Sequence, residues 1–411
     1  MSVKTLQNTV QSTLTDLLIF FSFYLASCSH VELQKDQMDS PNPPVSTATS
    51  QSSSRPTMIL SLKKVWVKKT QAETDVGYRK MARMSPLILK DKIIQGNAFD
   101  GIAAFDRESG RTIWRLPVKG GVEGGVTHVN DILFFGGNDG NFYSVSLKTG
   151  EVIWKYSVRS ETLAPPLLYD GVVYFLTGNN VLRALDAVEG KELWLYSRVD
   201  SQSFSVRGAS TPVVKDGTLF LGFSDGYLVA LNAKTGSLKW ESALNKNKRF
   251  RDIDSTAVID GEFIYVTGYD SHLYCVRLQT GDLAWKAEPG GFGKVLIKDD
   301  RLFYSSSTGE VLAIDKKNGN SLWRYKLEEG IATSPVLYKN YLTIGESQGA
   351  LRLLNIESGK EISHLSPGHG IFSPIAIDEQ KDELYFLSNN ALLYKIQAKM
   401  VKNEVGSPWI Y

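Results

Sequence analysis

The sequence predicts an all-β fold, an eight-bladed β-propeller whose ring is closed by its own N-terminal strand. Three observations carry this expectation. A signature recurs seven times: a small turn residue, an alternating strand, a polar turn ending on Gly, then Trp four residues later. It reads GIAAFDRESGRTIW at 101–114, NVLRALDAVEGKELW at 180–194 and GEVLAIDKKNGNSLW at 309–323. The aromatic position is taken by Trp114, Trp154, Trp194, Trp240, Trp285 and Trp323, and by Ser363 in the seventh copy, at intervals of 40, 40, 46, 45, 38 and 40. A self-similar period near 40 with four short strands per unit is the mark of blades around an axis. Finally, the last unit lacks its fourth strand, and an isolated strand with its own Trp66 precedes the first unit.

The unit at 164–194 shows the elements in order. Residues 164–169 are a short strand with Pro near its start, where no ladder donor is needed. Asp170-Gly171 is a hairpin turn. Residues 172–177, VVYFLT, form a continuous apolar run, as expected of a strand buried on both faces. Residues 181–186 are a third strand, and 191–196 a fourth that carries Trp194. The first three strands recur eight times, the last copies being 383–387 and 391–396 for the second and third. The strand at 63–68, KKVWVK, supplies the fourth strand of the last sheet and removes an exposed edge. Trp66 and the six repeat tryptophans are read as structural: each ring can lie between adjacent sheets and bury about 150–250 Å².

Outside the repeats, residues 17–27, LLIFFSFYLAS, are an apolar run suited to a signal peptide and too short to span a bilayer. The run ends in Leu25-Ala26-Ser27-Cys28, which resembles the lipobox of bacterial lipoproteins. That resemblance implies an acylated Cys28 and a mature chain anchored in a membrane by lipid. Residues 40–57 hold 13 Ser, Thr or Pro among 18 and cannot bury enough apolar surface to order themselves. The expected organisation is a lipoprotein signal peptide at 1–28, a tether at 29–60, the propeller at 61–397 and a tail at 398–411.

The charge balance is near neutral, with 46 Lys plus Arg against 44 Asp plus Glu. A nucleic-acid binder needs a basic stripe, so no nucleic-acid partner is expected. The histidines at 30, 128, 272, 364 and 369 lack metal-ligand spacing, and no metal or cofactor is expected. Cys275 reads as a small buried hydrophobe. Asp139-Gly140 and Asp225-Gly226 recur at one place in each repeat, which marks hairpin chemistry and argues against a unique catalytic role.

The unit G-x-L-x-A-L-D-x-x-T-G-x-x-x-W resembles the repeat of quinoprotein dehydrogenases. Two families carry it in eight blades: the quinone-dependent alcohol dehydrogenases, and the BamB lipoproteins of the outer-membrane β-barrel assembly machinery. The paired adjacent cysteines of the dehydrogenases are missing here. The BamB resemblance spans roughly 60–397 and is sharpest in two connecting stretches, Phe204-Ser205-Val206-Arg207-Gly208 and Arg251-Asp252-Ile253-Asp254-Ser255. It implies a non-catalytic scaffold at the periplasmic face of the outer membrane. The implied partners are the periplasmic POTRA domains of a BamA-like barrel protein and other assembly lipoproteins. Phe204 and Val206 would be apolar anchors, Arg207 a bidentate donor, and Asp252 and Asp254 would hold the loops or meet a basic group of the partner. Strand addition and loop contact are the expected binding modes. The rival readings are a quinone-dependent dehydrogenase and another periplasmic propeller that binds a different ligand.

Overall fold

The amphipathic repeats fold as their pattern requires. A computed structural model of the chain describes residues 58–72, 83–198, 210–245, 250–253, 255–269 and 272–402. These residues form eight four-stranded antiparallel sheets, one per repeat, arranged as an eight-bladed propeller. The third blade is representative: its strands are Leu167–Tyr169, Val172–Thr177, Val181–Asp186 and Glu192–Ser197, from the axis outward. Each second strand is buried along most of its length, as its unbroken apolar run predicted, and so is each third strand, expected as an alternating one, because both pack against blades on both sides. The innermost strands start later than their Pro and Gly markers and are only two to four residues long.

Antiparallel strands joined in sequence alternate direction, so the disc has two distinct faces. The blade-to-blade connections and the turns between second and third strands share one, here called the connection face. The other turns share the opposite face.

Blades are joined by one repeated contact. In seven of the eight outermost strands a Trp lies against the next blade's turn. A Cβ placed on the turn glycine (Gly110, Gly150, Gly190, Gly236, Gly281, Gly319 or Gly359) would fall 2.5–3.0 Å from the Trp ring of the blade before it. These glycines also have φ between +65° and +78°, so they are required twice over. In six of the seven contacts the indole N–H donates to a backbone carbonyl in that same turn, as from Trp154 to Ala187 at 3.2 Å and from Trp323 to Ile356 at 3.0 Å. An aromatic of the Trp's own blade backs it in six blades, Phe134 behind Trp154 and Phe303 behind Trp323 among them, with centroids 5.7–6.0 Å apart. Across the ladder from the repeat Trp stands a small residue. In the fifth blade this is Cys275, which is buried, and burial pushes its thiol up to about 11.

Each outermost strand also carries a β-bulge at the residue before the Trp position. In the third blade Ala184 pairs with Trp194 and Leu185 with Glu192, leaving Leu193 without a partner. The same shift leaves out Ile113, Ile153, Lys239, Ala284, Leu322, Ile362 and Val65 in the other blades. A bulge disrupts the ladder that an incoming strand would extend.

The ring closes as expected, with an extension. The N-terminal strand Met58–Lys69 pairs with the last strand Leu392–Lys402 across the whole length of both. The strand thus passes both expected limits, 61 and 397, and residues 398–402 belong to the sheet and not to the tail. No turn joins these two strands, so nothing ends their pairing at the edge of the disc. The missing turn also explains the missing Trp. The seventh blade's outermost strand faces no turn glycine; Ser363 replaces Trp and pairs with Leu353 in place of a small residue. Leu60 and Leu62 of the N-terminal strand occupy this junction, in one apolar cluster with Leu353 and Leu365.

A second clasp joins the first blade to the eighth. Arg107, 3% exposed, binds Asp378 and Glu383, the latter at 2.6 Å, and Lys395 binds Glu383 at 3.0 Å and Glu108 at 3.1 Å. Tyr385 donates to Glu383 at 2.7 Å. These partners outweigh desolvation and hold the Glu383 carboxyl below its ordinary range; the Arg107 hydrogen bond does the same for Asp378.

Two outcomes are expected. Gly171→Ala should cost about 1–2 kcal/mol, because φ is +75° there but no atom lies within 4 Å of the added methyl. Gly190→Ala pays the same backbone cost and also displaces Trp154, adding about 1–3 kcal/mol. Equal denaturation midpoints for the two variants would disprove the Trp–turn contact as the joint. Because the folded pKa of Glu383 and Asp378 is lowered, their stabilisation is complete above about pH 5 and is lost as pH falls through the folded values. Glu383→Gln should cost about 3–5 kcal/mol at pH 7. Its melting temperature should also fall less than that of wild type between pH 7 and 3.

Candidate functional site

The two longest intervals between repeats, 46 and 45, both lie in blade-to-blade connections of the connection face, from blade three to four and from four to five. Phe204, Val206, Arg207 and Asp254 fall in these connections and lie outside the described residues, as does Cys28. The structure does describe how the connections are anchored.

The first connection departs at Arg198. Its guanidinium meets Asp225 at 2.6 Å through Nε and Glu241 at 2.6 Å through Nη1, and stacks 4.3 Å from the Tyr227 ring centre. All three partners belong to the fourth blade, so the departure point is tied across the blade junction. The connection returns at Ser210, which is buried; the Gly222 N–H donates to Ser210 Oγ at 3.3 Å, and Ser210 Oγ donates to the Ser255 carbonyl at 3.2 Å. Ser255 repeats this clasp one blade on, receiving the Thr267 N–H at 2.7 Å. Thr333 and Ser373 do the same for Gly345 and Leu387.

The second connection is held from below. Ile253 is buried and its carbonyl lies where a Cβ of Gly222 would be, 2.0 Å away. The Ile253 N–H donates to Phe223 O at 3.1 Å. Asp252 is fully buried, and its carbonyl accepts the Tyr269 N–H at 3.2 Å. Of the two roles expected of Asp252, a carboxylate so placed fits the holding of the connection, since it does not itself face solvent. Phe250, 41% exposed with φ +52°, packs against Tyr269 with ring centres 6.2 Å apart and planes tilted by 50°.

Beside this connection a cleft of about 920 Å³ opens between blades five and six. Tyr269, His272, Lys286 and Glu288 line one side and Thr308 and Arg324 the other. His272 Nε2 lies 3.1 Å from Glu288 Oε1, while its Nδ1 has no hydrogen-bond partner. Burial, reinforced by Lys286, holds His272 below the usual imidazole range, so it is neutral at pH 7 and donates through Nε2. Arg324 is half exposed and reaches Glu310 only at 3.7 Å. A separate channel of about 810 Å³ on the axis is lined by residues such as Pro165, Pro335 and Pro374, with Phe292 and Phe372 stacked 6.3 Å apart and Arg83 over Phe372. Among the described residues no three His, Cys, Asp or Glu side chains converge as a metal site would require.

The sequence pointed to this face through interval lengths and missed the residues that shape it. Arg198 lies four residues after its Trp, a position where Val118, Val158, Leu244 and Leu327 are apolar. That break in pattern was the available signal.

The chain was compared with known proteins. The family model described as "Outer membrane protein assembly factor BamB" matches residues 98–325, more than half of the chain. A curated BamB of Moranella endobia is 28% identical over 300 residues, covering 69% of this chain and 77% of that protein. The crystal structure of BamB from Moraxella catarrhalis superposes with a TM-score of 0.71 at 23% identity, covering 82% of this chain and all of that one. A quinohemoprotein alcohol dehydrogenase from Comamonas testosteroni shares the fold at 11% identity and TM-score 0.66, over 85% of this chain and 78% of that one.

Proposed function

The chain belongs to the BamB family of outer membrane protein assembly factors, and on that premise we propose that it is a non-catalytic scaffold of the outer-membrane β-barrel assembly machinery. Its connection face binds the periplasmic domains of a BamA-like barrel subunit. Lipid on Cys28 holds it at the periplasmic side of the outer membrane.

One observation carries the reading: the two longest connections leave adjacent blade junctions on the same face and are tied down at Arg198, Ser210, Ile253 and Ser255. Anchored ends reduce the entropy lost when a loop is ordered by a partner. Phe204, Val206 and Arg207 lie between two such anchors and would supply the apolar and bidentate contacts, with Asp254 beside them; Asp252 would act by holding the second connection in place. The bulges on all eight outer edges oppose strand addition there, which favours loop contact.

The test is capture of the barrel subunit's purified periplasmic domains by the lipid-free chain. Arg207→Ala and Asp252→Ala should each weaken binding by about 2 kcal/mol, roughly thirtyfold. Lys317→Ala, on the opposite face, should leave it unchanged. Binding that survives both connection-face variants, or none by wild type, would remove the assignment. Mass spectrometry of the mature N-terminus checks acylation of Cys28.

A further inference from the structure

The second connection sets an aromatic where folding alone does not favour one. Phe250 is 41% exposed, and among the described residues no other Phe or Trp is exposed. Its backbone is left-handed, with φ +52°. Glycine takes that conformation freely, Asn and Asp take it at small cost, and a bulky aromatic takes it only under strain. Nine other described non-glycine residues have positive φ; eight of them lie in turns within a blade, and none is aromatic. Phe250 therefore forgoes burial and carries strain in the chain by itself. Strain of this kind persists only where the surrounding structure enforces it, and it gathers at functional positions.

The surroundings of Phe250 do enforce it. On one side stands Asn245, which is buried. Its N–H donates to Gly226 O at 3.1 Å, and its carbonyl lies 2.2 Å from where a Cβ of Gly226 would be. Asn245 Nδ2 then donates to Phe250 O at 3.2 Å. On the other side Asp252 and Ile253 are fully buried. Tyr269 closes the frame, with its N–H on Asp252 O and its ring behind Phe250. Tyr269 also lines both the cleft between blades five and six and the axial channel. The aromatic pair is thus a ridge between two hollows of the connection face.

We propose that Phe250 is an apolar anchor of the second connection and inserts into an apolar pocket of the barrel subunit's periplasmic domains. The proposal rests on the scaffold reading above, since that reading brings a protein partner to this connection. The ring is already fixed by the frame and has few torsions left to order, so binding it costs little conformational entropy. The hollows on either side leave room for the walls of the pocket that receives it. Asp252, two residues on, holds the base of the same ridge.

Affinity for the barrel subunit's purified periplasmic domains, measured by titration calorimetry on the full lipid-free chain, tests the anchor. Phe250→Gly removes the ring and the backbone strain together. It should weaken binding about thirtyfold, as loss of a central aromatic contact does. Its melting temperature should stay close to that of wild type, because relief of strain offsets the lost contact with Tyr269. Phe250→Leu keeps an apolar side chain on the same strained backbone and should recover most of the lost affinity. Wild-type affinity in Phe250→Gly, or equal losses in the two variants, would overturn the anchor while leaving the scaffold reading intact. Failure of the wild-type chain to bind would overturn both. Sedimentation of the chain alone covers the other occupant: a dimer abolished by Phe250→Gly would reassign the ridge to self-association and overturn the proposal.

Discussion

One interaction underlies the ring: the indole of one blade against the turn glycine of the next. It does several things at once. The glycine permits the left-handed turn and also leaves the space that the ring occupies. The indole N–H satisfies a carbonyl of the same turn, so the joint buries no unpaired donor. An aromatic behind the Trp and a small residue across the ladder complete the slot. A single blade cannot bury this surface alone. Local turn chemistry and long-range packing are thereby fused in one residue pair, and the period of the sequence becomes the period of the ring.

The joint fails at one place, and the structure compensates there. The eighth blade is built from both chain ends and has no turn between its outer strands. The seventh blade lacks Trp for that reason and fills the junction with Leu353, Leu60 and Leu62. Arg107, Glu383 and Lys395 tie the first blade to the last. A buried ion cluster of this kind is a weak source of net stability but a strict test of register, because a slipped strand leaves charges unpaired. The cluster thus supports register at the blade where the ring closes.

The working surface follows from the same geometry. A closed disc with bulged outer edges offers few backbone groups to a partner, and side chains at blade junctions on one face become the available contacts. Where a junction is plugged by an apolar residue the face is flat. Where it is plugged by Arg198, the face has chemistry.

The fold was legible because its determinants are local and repeated: Gly-x-x-x-Trp spacing, apolar runs for doubly buried strands, and a leftover strand at each end. The bulges, the hydroxyl clasps of Ser210 and Ser255, and the pairing of 398–402 were not legible, since each depends on which atoms meet across strands. For the candidate site, interval lengths pointed to the connection face, and of the two roles expected of Asp252 its burial fits the holding of the loop. Sequence by itself determined the number of blades and the way the ring closes, because both follow from counting repeats. Only tertiary structure decided why Ser363 stands in place of Trp, because the answer lies in Leu60 and Leu62 of the N-terminal strand, which reach that junction from the other end of the chain.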